Sequence, residues 1–119
     1  KILKNFYLGK YLSKESTKFL MDVLYSTSTG PNKLVEQLPK FAKIAHKTGT
    51  SGKNKDGLTG AENDIAIITL PNGKHYAISV FVSDSMESSV VNCKMISDIS
   101  KVVYNELSNP KSGFFFYMK

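Results

Sequence analysis

The sequence predicts an α+β fold in which an antiparallel sheet of about three strands packs against helices. Three apolar, strand-like runs lie close together between residues 41 and 83, and helical patterns precede and follow them. Pro71-Asn72-Gly73, between the second and third runs, is a strong hairpin signal. Strands that follow one another through tight turns, with helices kept to either side along the chain, are typical of α+β domains.

Residues 12–39 form the predicted helical segment. Ser13, with Glu15 close behind it, is a suitable helix start, and we predict a helix from about Lys14 to Ser28. Gly30-Pro31 stops this helix. A short second helix is predicted from Asn32 to Gln37. Residues 1–11, rich in Lys, are assigned to no element and look like part of something larger.

The three strands are predicted within residues 41–84. The first runs from Phe41 to Thr48. The second, Asp64 to Leu70, is nearly all apolar and β-branched, which is typical of a strand buried on both faces. The third runs from His75 to Ser83 with period-two alternation. The connection Ser51 to Asn63 is long and polar, so we expect it to be flexible or functional.

The final predicted helix spans residues 88–107, and its apolar stripe is Met95, Ile96, Ile99, Val102, Val103 and Leu107. Asn109-Pro110 ends it. Residues 108–119 form a tail that is strongly apolar from Gly113 to Met118. With no repeat and no linker, residues 1–119 are predicted to be a single domain.

Composition excludes several function classes. All 16 basic residues are Lys, against 10 acidic residues, for a formal charge of +6. A nucleic-acid reader would normally use Arg for bidentate contacts, so the scattered lysines indicate a solvated surface. Cys93 stands alone as a packing residue, and one Cys with two distant His makes no zinc site. We expect no metal, no cofactor and no membrane span. The start at Lys1 without a signal peptide indicates a processed product or a fragment.

The stretch from Ala45 to Gly52 carries the candidate chemistry. In an extended backbone, Lys47 and Gly49 point to one face, and Thr48 and Thr50 to the other. Gly49 has no side chain, so a ligand can approach the backbone closely, and the Thr50 N–H beyond it is free to donate. A cation, a hydroxyl and a backbone donor together suit a carboxylate and a carbonyl at a sheet edge.

Lys47-Thr48-Gly49 is also one of three motifs of serine β-lactamases and penicillin-binding proteins. The order and spacing of its flanking motifs resemble the C-terminal part of a class A β-lactamase, most like the Bacteroides-type enzymes. The resemblance covers roughly residues 12–107. Its flanking motifs are Thr29-Gly30-Pro31, Leu38-Pro39, Asn63-Asp64-Ile65-Ala66 and Leu70-Pro71-Asn72-Gly73-Lys74.

This resemblance implies a role for each motif residue. Lys47 would help to recognise the β-lactam carboxylate and shape the electrostatics around the nucleophile. Thr48 would contact the same carboxylate through its hydroxyl. Gly49 would permit close approach, and the backbone N–H of Thr50 would supply half of the oxyanion hole, which makes Thr50 the one catalytic residue expected here.

Other parts of such a site are missing from the sequence. No Ser-x-x-Lys precedes Lys47; the one literal match, Ser108 to Lys111, lies in the tail and is interpreted as coincidence. Many class A enzymes use an arginine near the motif to bind the substrate carboxylate. This sequence has no Arg, so that role is either empty or falls to a Lys or a hydroxyl. His46 is interpreted as a strand residue without a nucleophile partner, and His75 as an exposed strand start. Asp64 either orients Thr50 or its loop, or caps a turn.

The resemblance therefore implies part of a serine β-lactamase that hydrolyses β-lactams through an acyl-enzyme, periplasmic or secreted as a whole protein. This chain would supply the Lys-Thr-Gly wall without the nucleophile. Two alternatives stay open at this point. One is a fragment of a penicillin-binding protein or D-Ala carboxypeptidase, and the other is a truncated, non-catalytic domain that only binds or self-associates.

We predict that the isolated 119-residue chain does not hydrolyse β-lactams. Loss of the nucleophile costs on the order of 10⁶ in rate in a well-studied serine hydrolase. The measurement is turnover of a chromogenic cephalosporin by the purified chain. Turnover that a β-lactamase inhibitor abolishes would contradict the prediction.

We also predict that the isolated chain self-associates. The strand from His75 to Ser83 would be a free, apolar edge without proline, and such edges pair with other chains. The apolar tail, Phe114 to Met118, adds interface-type residues. Sedimentation would detect the oligomer. A monomer at high concentration, unchanged by deletion of residues after Pro110, would instead indicate that the N-terminal segment covers the sheet.

Overall fold

The computed structural model describes residues 1–109. Its elements, in chain order, are α1 (Ile2–Tyr7), α2 (Lys14–Tyr25), β1 (Ile44–Thr50), β2 (Thr59–Thr69), β3 (His75–Ser85) and α3 (Ser89–Ser108). The strands form one antiparallel sheet in the order β1-β2-β3. The predicted α+β class is confirmed. The predicted apolar tail lies outside the described residues.

Strand β2 lies at the centre of the sheet and carries apolar side chains on both faces, as predicted. Ala66 and Ile68 face a core that contains Ile96 and Tyr104 of α3. Ile67 faces the opposite side, where a smaller core includes Phe6 and Ala45 and packs against α2. Helix α3 therefore covers one face of the sheet, and α1 and α2 lie on the other.

The turn between β2 and β3 forms at the predicted hairpin signal. The Leu70 N–H donates to the Lys74 carbonyl at 2.7 Å, and the Gly73 N–H donates to the Leu70 carbonyl at 2.9 Å. Gly73 has a φ of +83°, a conformation that glycine adopts without steric cost. The tight turn aligns the two long strands, so that β3 forms the second edge of the described sheet.

Helix α2 begins where predicted but ends three residues early. The Ser13 side chain accepts a hydrogen bond from the Ser16 N–H at 3.1 Å, which caps the first turn. After Tyr25 the chain leaves the helix, because Thr27 and Thr29 both bond to β1. The Ser26 N–H still donates to the Asp22 carbonyl at 3.2 Å, and beyond it the two threonine side chains hold the chain against β1.

The short helix predicted from Asn32 to Gln37 is wrong; these residues form successive turns. The backbone here makes turn bonds between residues three apart, from the Glu36 N–H to the Lys33 carbonyl and from the Leu38 N–H to the Val35 carbonyl, both at 3.2 Å, and distant partners hold the segment in place. The Leu34 N–H donates to Asp64 Oδ2 at 3.2 Å, and the Leu34 carbonyl accepts from Ser100 Oγ at 2.7 Å. The segment is thus fastened to both β2 and α3.

Other elements also differ from the prediction. Strand β1 begins at Ile44, because Phe41 is 77% exposed and lies in a turn closed by the Ala42 N–H and the Pro39 carbonyl at 2.9 Å. Strand β2 begins at Thr59 and therefore takes five residues from the predicted loop. Helix α1 was not predicted at all; it forms because Phe6 is buried against the sheet.

We predict that Ile96→Ala lowers the free energy of unfolding by about 2–5 kcal/mol, because Ile96 is fully buried in the larger core. Urea denaturation followed by circular dichroism measures this loss. Ile99→Ala on the same helix is the matched control, since Ile99 is 46% exposed, and its effect should stay within about 0.5 kcal/mol. Equal losses for the two variants would contradict the assigned packing of α3.

Candidate functional site

The four candidate residues, Lys47 to Thr50, form the last part of β1, at an edge of the described sheet. Lys47 pairs with Ile65 across the strands, and Thr48 pairs with Asp64. Lys47 and Gly49 consequently lie on the face that carries α1 and α2, and Thr48 and Thr50 lie on the face that carries α3. This is the alternation predicted from the sequence.

The direction of the β1 backbone is set by its pairing with β2. The Ser51 N–H donates to the Ala61 carbonyl at 2.9 Å, and the Lys43 carbonyl accepts from the Thr69 N–H at 3.0 Å. Because residues in an antiparallel ladder alternate, the odd-numbered residues between these two turn their backbone groups toward β2. The even-numbered residues, Thr50 among them, turn their N–H and C=O groups toward the free edge.

Two outward carbonyls on this edge already have side-chain donors. The His46 carbonyl accepts from Thr27 Oγ1 at 2.6 Å. The Thr48 carbonyl accepts from Lys47 Nζ at 2.6 Å. Within residues 1–109, no side chain is bonded to the outward backbone groups of Thr50, which leaves them available to a ligand.

Around Thr48 the edge is closely packed. Its hydroxyl lies 2.8 Å from the hydroxyl of Thr29. Gly30 has a φ of +61°, and a Cβ built on it would lie 2.5 Å from Thr48 Cγ2. No residue with a side chain fits there without displacing Thr48. A Cβ on Gly49, in contrast, would meet nothing within 4 Å, so the face at Gly49 is open in the described structure.

A pair of buried charges next to the site, on the side of the sheet that faces α3, was not predicted from the sequence. Lys33 Nζ lies 2.8 Å from Glu62 Oε1, and their side chains are only 4% and 3% exposed. Thr50 Oγ1 donates to Glu62 Oε1 at 2.9 Å and accepts from Lys33 Nζ at 2.9 Å. Ser89 Oγ, at the start of α3, donates to Glu62 Oε2 at 3.1 Å. The hydroxyl of Thr50 is therefore fully engaged inside the protein.

The environment of Glu62 holds its carboxyl ionised. Burial by itself raises the pKa of this group, but three hydrogen bonds and the charge of Lys33 outweigh burial, so the pKa of Glu62 lies below its ordinary value. The signal in the sequence was the alternation of Glu62 with Asp64. Two acids that share the inward face of a strand each need a partner, although the pattern does not say which residue provides it.

Asp64 has neither of the predicted roles. It is fully buried, and its Oδ1 lies 3.2 Å from His46 Nδ1. Its other oxygen accepts from the Leu34 N–H. Asp64 does not touch Thr50, so it holds the 31–37 turns and β1 together from β2. His46 lies within β1, as predicted, with Asp64 as its partner.

His75 starts β3, as predicted, but it is half-buried, so the prediction that it is exposed is wrong. Its Nδ1 lies 2.9 Å from the Tyr7 hydroxyl of α1, with the ring centroids 4.8 Å apart. Burial lowers the pKa of His75. Cys93 is a buried packing residue, as predicted, and burial raises the pKa of its thiol.

Two kinds of site are not found in the described part of the chain. No group of three His, Cys, Asp or Glu residues between 1 and 109 lies close enough together to hold a metal ion. None of the helices there combines the length and the apolar character that crossing a membrane requires.

Comparisons with known proteins agree with the fold. The sequence model of the Beta-lactamase enzyme family matches residues 1–107. Beta-lactamase VEB-1 of Pseudomonas aeruginosa is 49% identical over 111 residues, which cover 92% of this chain and 37% of that protein. The chain thus spans little more than a third of the length of this curated relative.

Two solved structures give the same result. TLA-3 extended-spectrum beta-lactamase superposes with a TM-score of 0.89 at 52% identity, covering 91% of this chain and 39% of that one. A representative of class A beta-lactamase from Bacteroides cellulosilyticus superposes with a TM-score of 0.86 at 37% identity, covering 90% of this chain and 39% of that one. Both similarities extend over nearly all of this chain.

Proposed function

The chain belongs to the beta-lactamase enzyme family, and from this premise we propose that it supplies the substrate-binding wall of a serine β-lactamase. The wall is formed by Lys47, Thr48, Gly49 and Thr50. The reaction is hydrolysis of a β-lactam antibiotic through an acyl-enzyme. The observation that carries the proposal is the free edge of β1, where the Thr50 N–H and the Lys47 ammonium lie on one short stretch of strand.

In the proposed site, Lys47 and Thr48 bind the carboxylate of the substrate. The Lys47 ammonium is exposed at the strand edge, where it donates to the Thr48 carbonyl. The Thr48 hydroxyl lies 2.8 Å from the Thr29 hydroxyl, at the same edge of the sheet. A cation beside a hydroxyl suits a carboxylate, because charged hydrogen bonds are stronger than neutral ones.

The Thr50 N–H acts as an oxyanion donor. When a serine oxygen adds to the β-lactam carbonyl, negative charge develops on the carbonyl oxygen, and a fixed N–H directed at that oxygen stabilises the transition state. The open face at Gly49 leaves room for the substrate beside this donor. The ring C–N bond then breaks, its nitrogen takes up a proton, and water cleaves the resulting ester.

The acylated serine comes from outside residues 1–119 in this proposal. Ser108, the only serine here with Lys three residues later, is the last residue of α3. Ser89, at the other end of that helix, contacts Glu62 behind the wall. A helix of 20 residues is about 30 Å long, which places Ser108 far from Thr50.

The remaining parts of the proposal follow from the family. The substrate is a small β-lactam, the serine chemistry needs no cofactor, and the whole protein is periplasmic or secreted. Penicillin-binding proteins share the Lys-Thr-Gly motif, so the motif by itself does not distinguish the two functions. Kinetics separate the two functions, since a β-lactamase turns over rapidly and a penicillin-binding protein stays acylated.

We predict that Lys47→Ala, in the protein as its gene encodes it, lowers kcat/KM for a chromogenic cephalosporin by roughly 10- to 100-fold, because a charged hydrogen bond contributes about 1.5–3 kcal/mol. Thr48→Val should cost less, about 2- to 10-fold, since it removes a neutral hydroxyl. Steady-state kinetics provide both values.

Lys43→Ala is the matched control for this experiment. Lys43 is an exposed lysine four residues before Lys47, just outside β1, and its removal should leave kcat/KM unchanged. Parental kcat/KM in Lys47→Ala would remove Lys47 from the site. A parent protein that is acylated but does not turn over would favour the penicillin-binding function.

A further inference from the structure

We propose that the buried Lys33–Glu62 pair positions the Gly49–Thr50 peptide, so that the Thr50 N–H stays directed at the free edge of β1. Neither residue is part of the substrate-binding wall. Both act on the wall from behind, in the layer between the sheet and α3. This inference rests on the proposed function for its catalytic consequence, but its structural content can be tested without activity.

The contacts of Lys33 identify what it holds. Its ammonium lies 3.3 Å from the Gly49 carbonyl and 3.1 Å from the Asn63 carbonyl, which belong to residues paired across β1 and β2. It also lies 2.9 Å from Thr50 Oγ1. Lys33 is therefore a cation placed over the paired strands. Its three N–H donors are shared among four acceptors, which are the Gly49 and Asn63 carbonyls, the Thr50 hydroxyl and the Glu62 carboxylate.

The Gly49 carbonyl and the Thr50 N–H belong to the same peptide unit. A peptide group is planar and trans, so its C=O and N–H point in opposite directions. Pairing with β2 turns this carbonyl toward β2 and the N–H toward the free edge, and that orientation is also held by the Lys33 ammonium, which binds the same carbonyl. Its positive charge also polarises the peptide, which strengthens that N–H as a hydrogen-bond donor.

Glu62 keeps this cation in place. A buried ammonium without a partner is strongly disfavoured, so Lys33 needs the carboxylate 2.8 Å away. Glu62 also accepts from the hydroxyls of Thr50 and Ser89, which ties the end of β1 to the start of α3. Buried ion pairs often add little to stability over apolar replacements. A positioning role accounts for a pair directed at backbone carbonyls beside the wall.

The test uses the double variant K33M/E62Q in the protein as its gene encodes it. This variant removes both charges together, so no buried charge is left unpaired. The amide oxygen that replaces Oε1 can still accept from Thr50, and the NH2 group that replaces Oε2 can donate to the Ser89 hydroxyl. The control is K94M/D98N, which makes similar changes in an exposed pair on α3. Thermal melting establishes that each variant is folded.

The structural readout is one peptide signal in the NMR spectrum. Gly49-Thr50 is the only Gly-Thr pair in this sequence, so labelling glycine carbonyls with ¹³C and threonine amides with ¹⁵N reports on that peptide. Its loss in Thr50→Ser identifies the signal. We expect K33M/E62Q to shift the Gly49 carbonyl and the Thr50 amide, and K94M/D98N to leave both unchanged.

The kinetic readout is kcat and KM for a chromogenic cephalosporin. Loss of a whole oxyanion donor lowers kcat by roughly 10²–10³, so a misdirected donor should lower it by about 10-fold or more, with a smaller change in KM. A folded K33M/E62Q with the parental NMR signal, or with the parental kcat, overturns the proposal and leaves the pair a structural role.

A third measurement covers the case in which the double variant does not fold. In the unmutated protein, the Lys33–Gly49 hydrogen bond should give a scalar coupling between Lys33 Nζ and the Gly49 carbonyl carbon. If the Lys33 ammonium protons exchange slowly with water but show no such coupling, the proposal is overturned. A parent protein without β-lactam turnover, but with the expected NMR shifts, refutes the proposed function while the positioning of the peptide stands.

Discussion

The rest of the site depends on one buried ion pair. In this pair, Lys33 Nζ lies 2.8 Å from Glu62 Oε1. Neither charge can be buried alone, so the segment that carries Lys33 must lie against the strand that carries Glu62. This requirement competes with helix formation in residues 31–37 and prevails, with Leu34 fastened to Asp64 on one side and to Ser100 on the other. The turns, the early start of β2 and the inward hydroxyl of Thr50 then form one connected arrangement.

The two faces of the sheet are packed differently. On the α1 and α2 side, the sheet is covered by apolar residues such as Phe6 and Ile67. On the α3 side, the apolar core around Ile96 gives way, toward the end of β1, to the buried polar groups around Glu62 and Asp64. The candidate wall lies over this polar end, where hydrogen bonds of defined direction can fix a backbone orientation that apolar packing alone leaves adjustable.

Features that depend on local pattern could be predicted from the sequence, and features that depend on distant partners could not. Apolar, strand-like runs predicted the three strands, Ser13 predicted the start of α2, and a three-residue motif with its neighbours identified Lys47 to Thr50. No local pattern pairs Lys33 with Glu62, because the two are 29 positions apart and each alone resembles a surface charge. Asp64 was noticed, but its partners His46 and Leu34 follow only from the register of β1 on β2 and the path of the 31–37 turns.

The free edge of β1 is only partly occupied by side chains. An unpaired strand edge is a template for unwanted pairing, and proteins usually block such edges. Here Thr27 occupies the outward carbonyl of His46, and the side chain of Lys47 occupies that of Thr48. Side chains of the described residues thus occupy these two outward carbonyls and leave the outward groups of Thr50 open. The open position coincides with the peptide whose carbonyl faces the buried Lys33. Recognition of a small polar molecule by a strand requires such a position, where an open N–H belongs to a peptide that the protein holds from its other side.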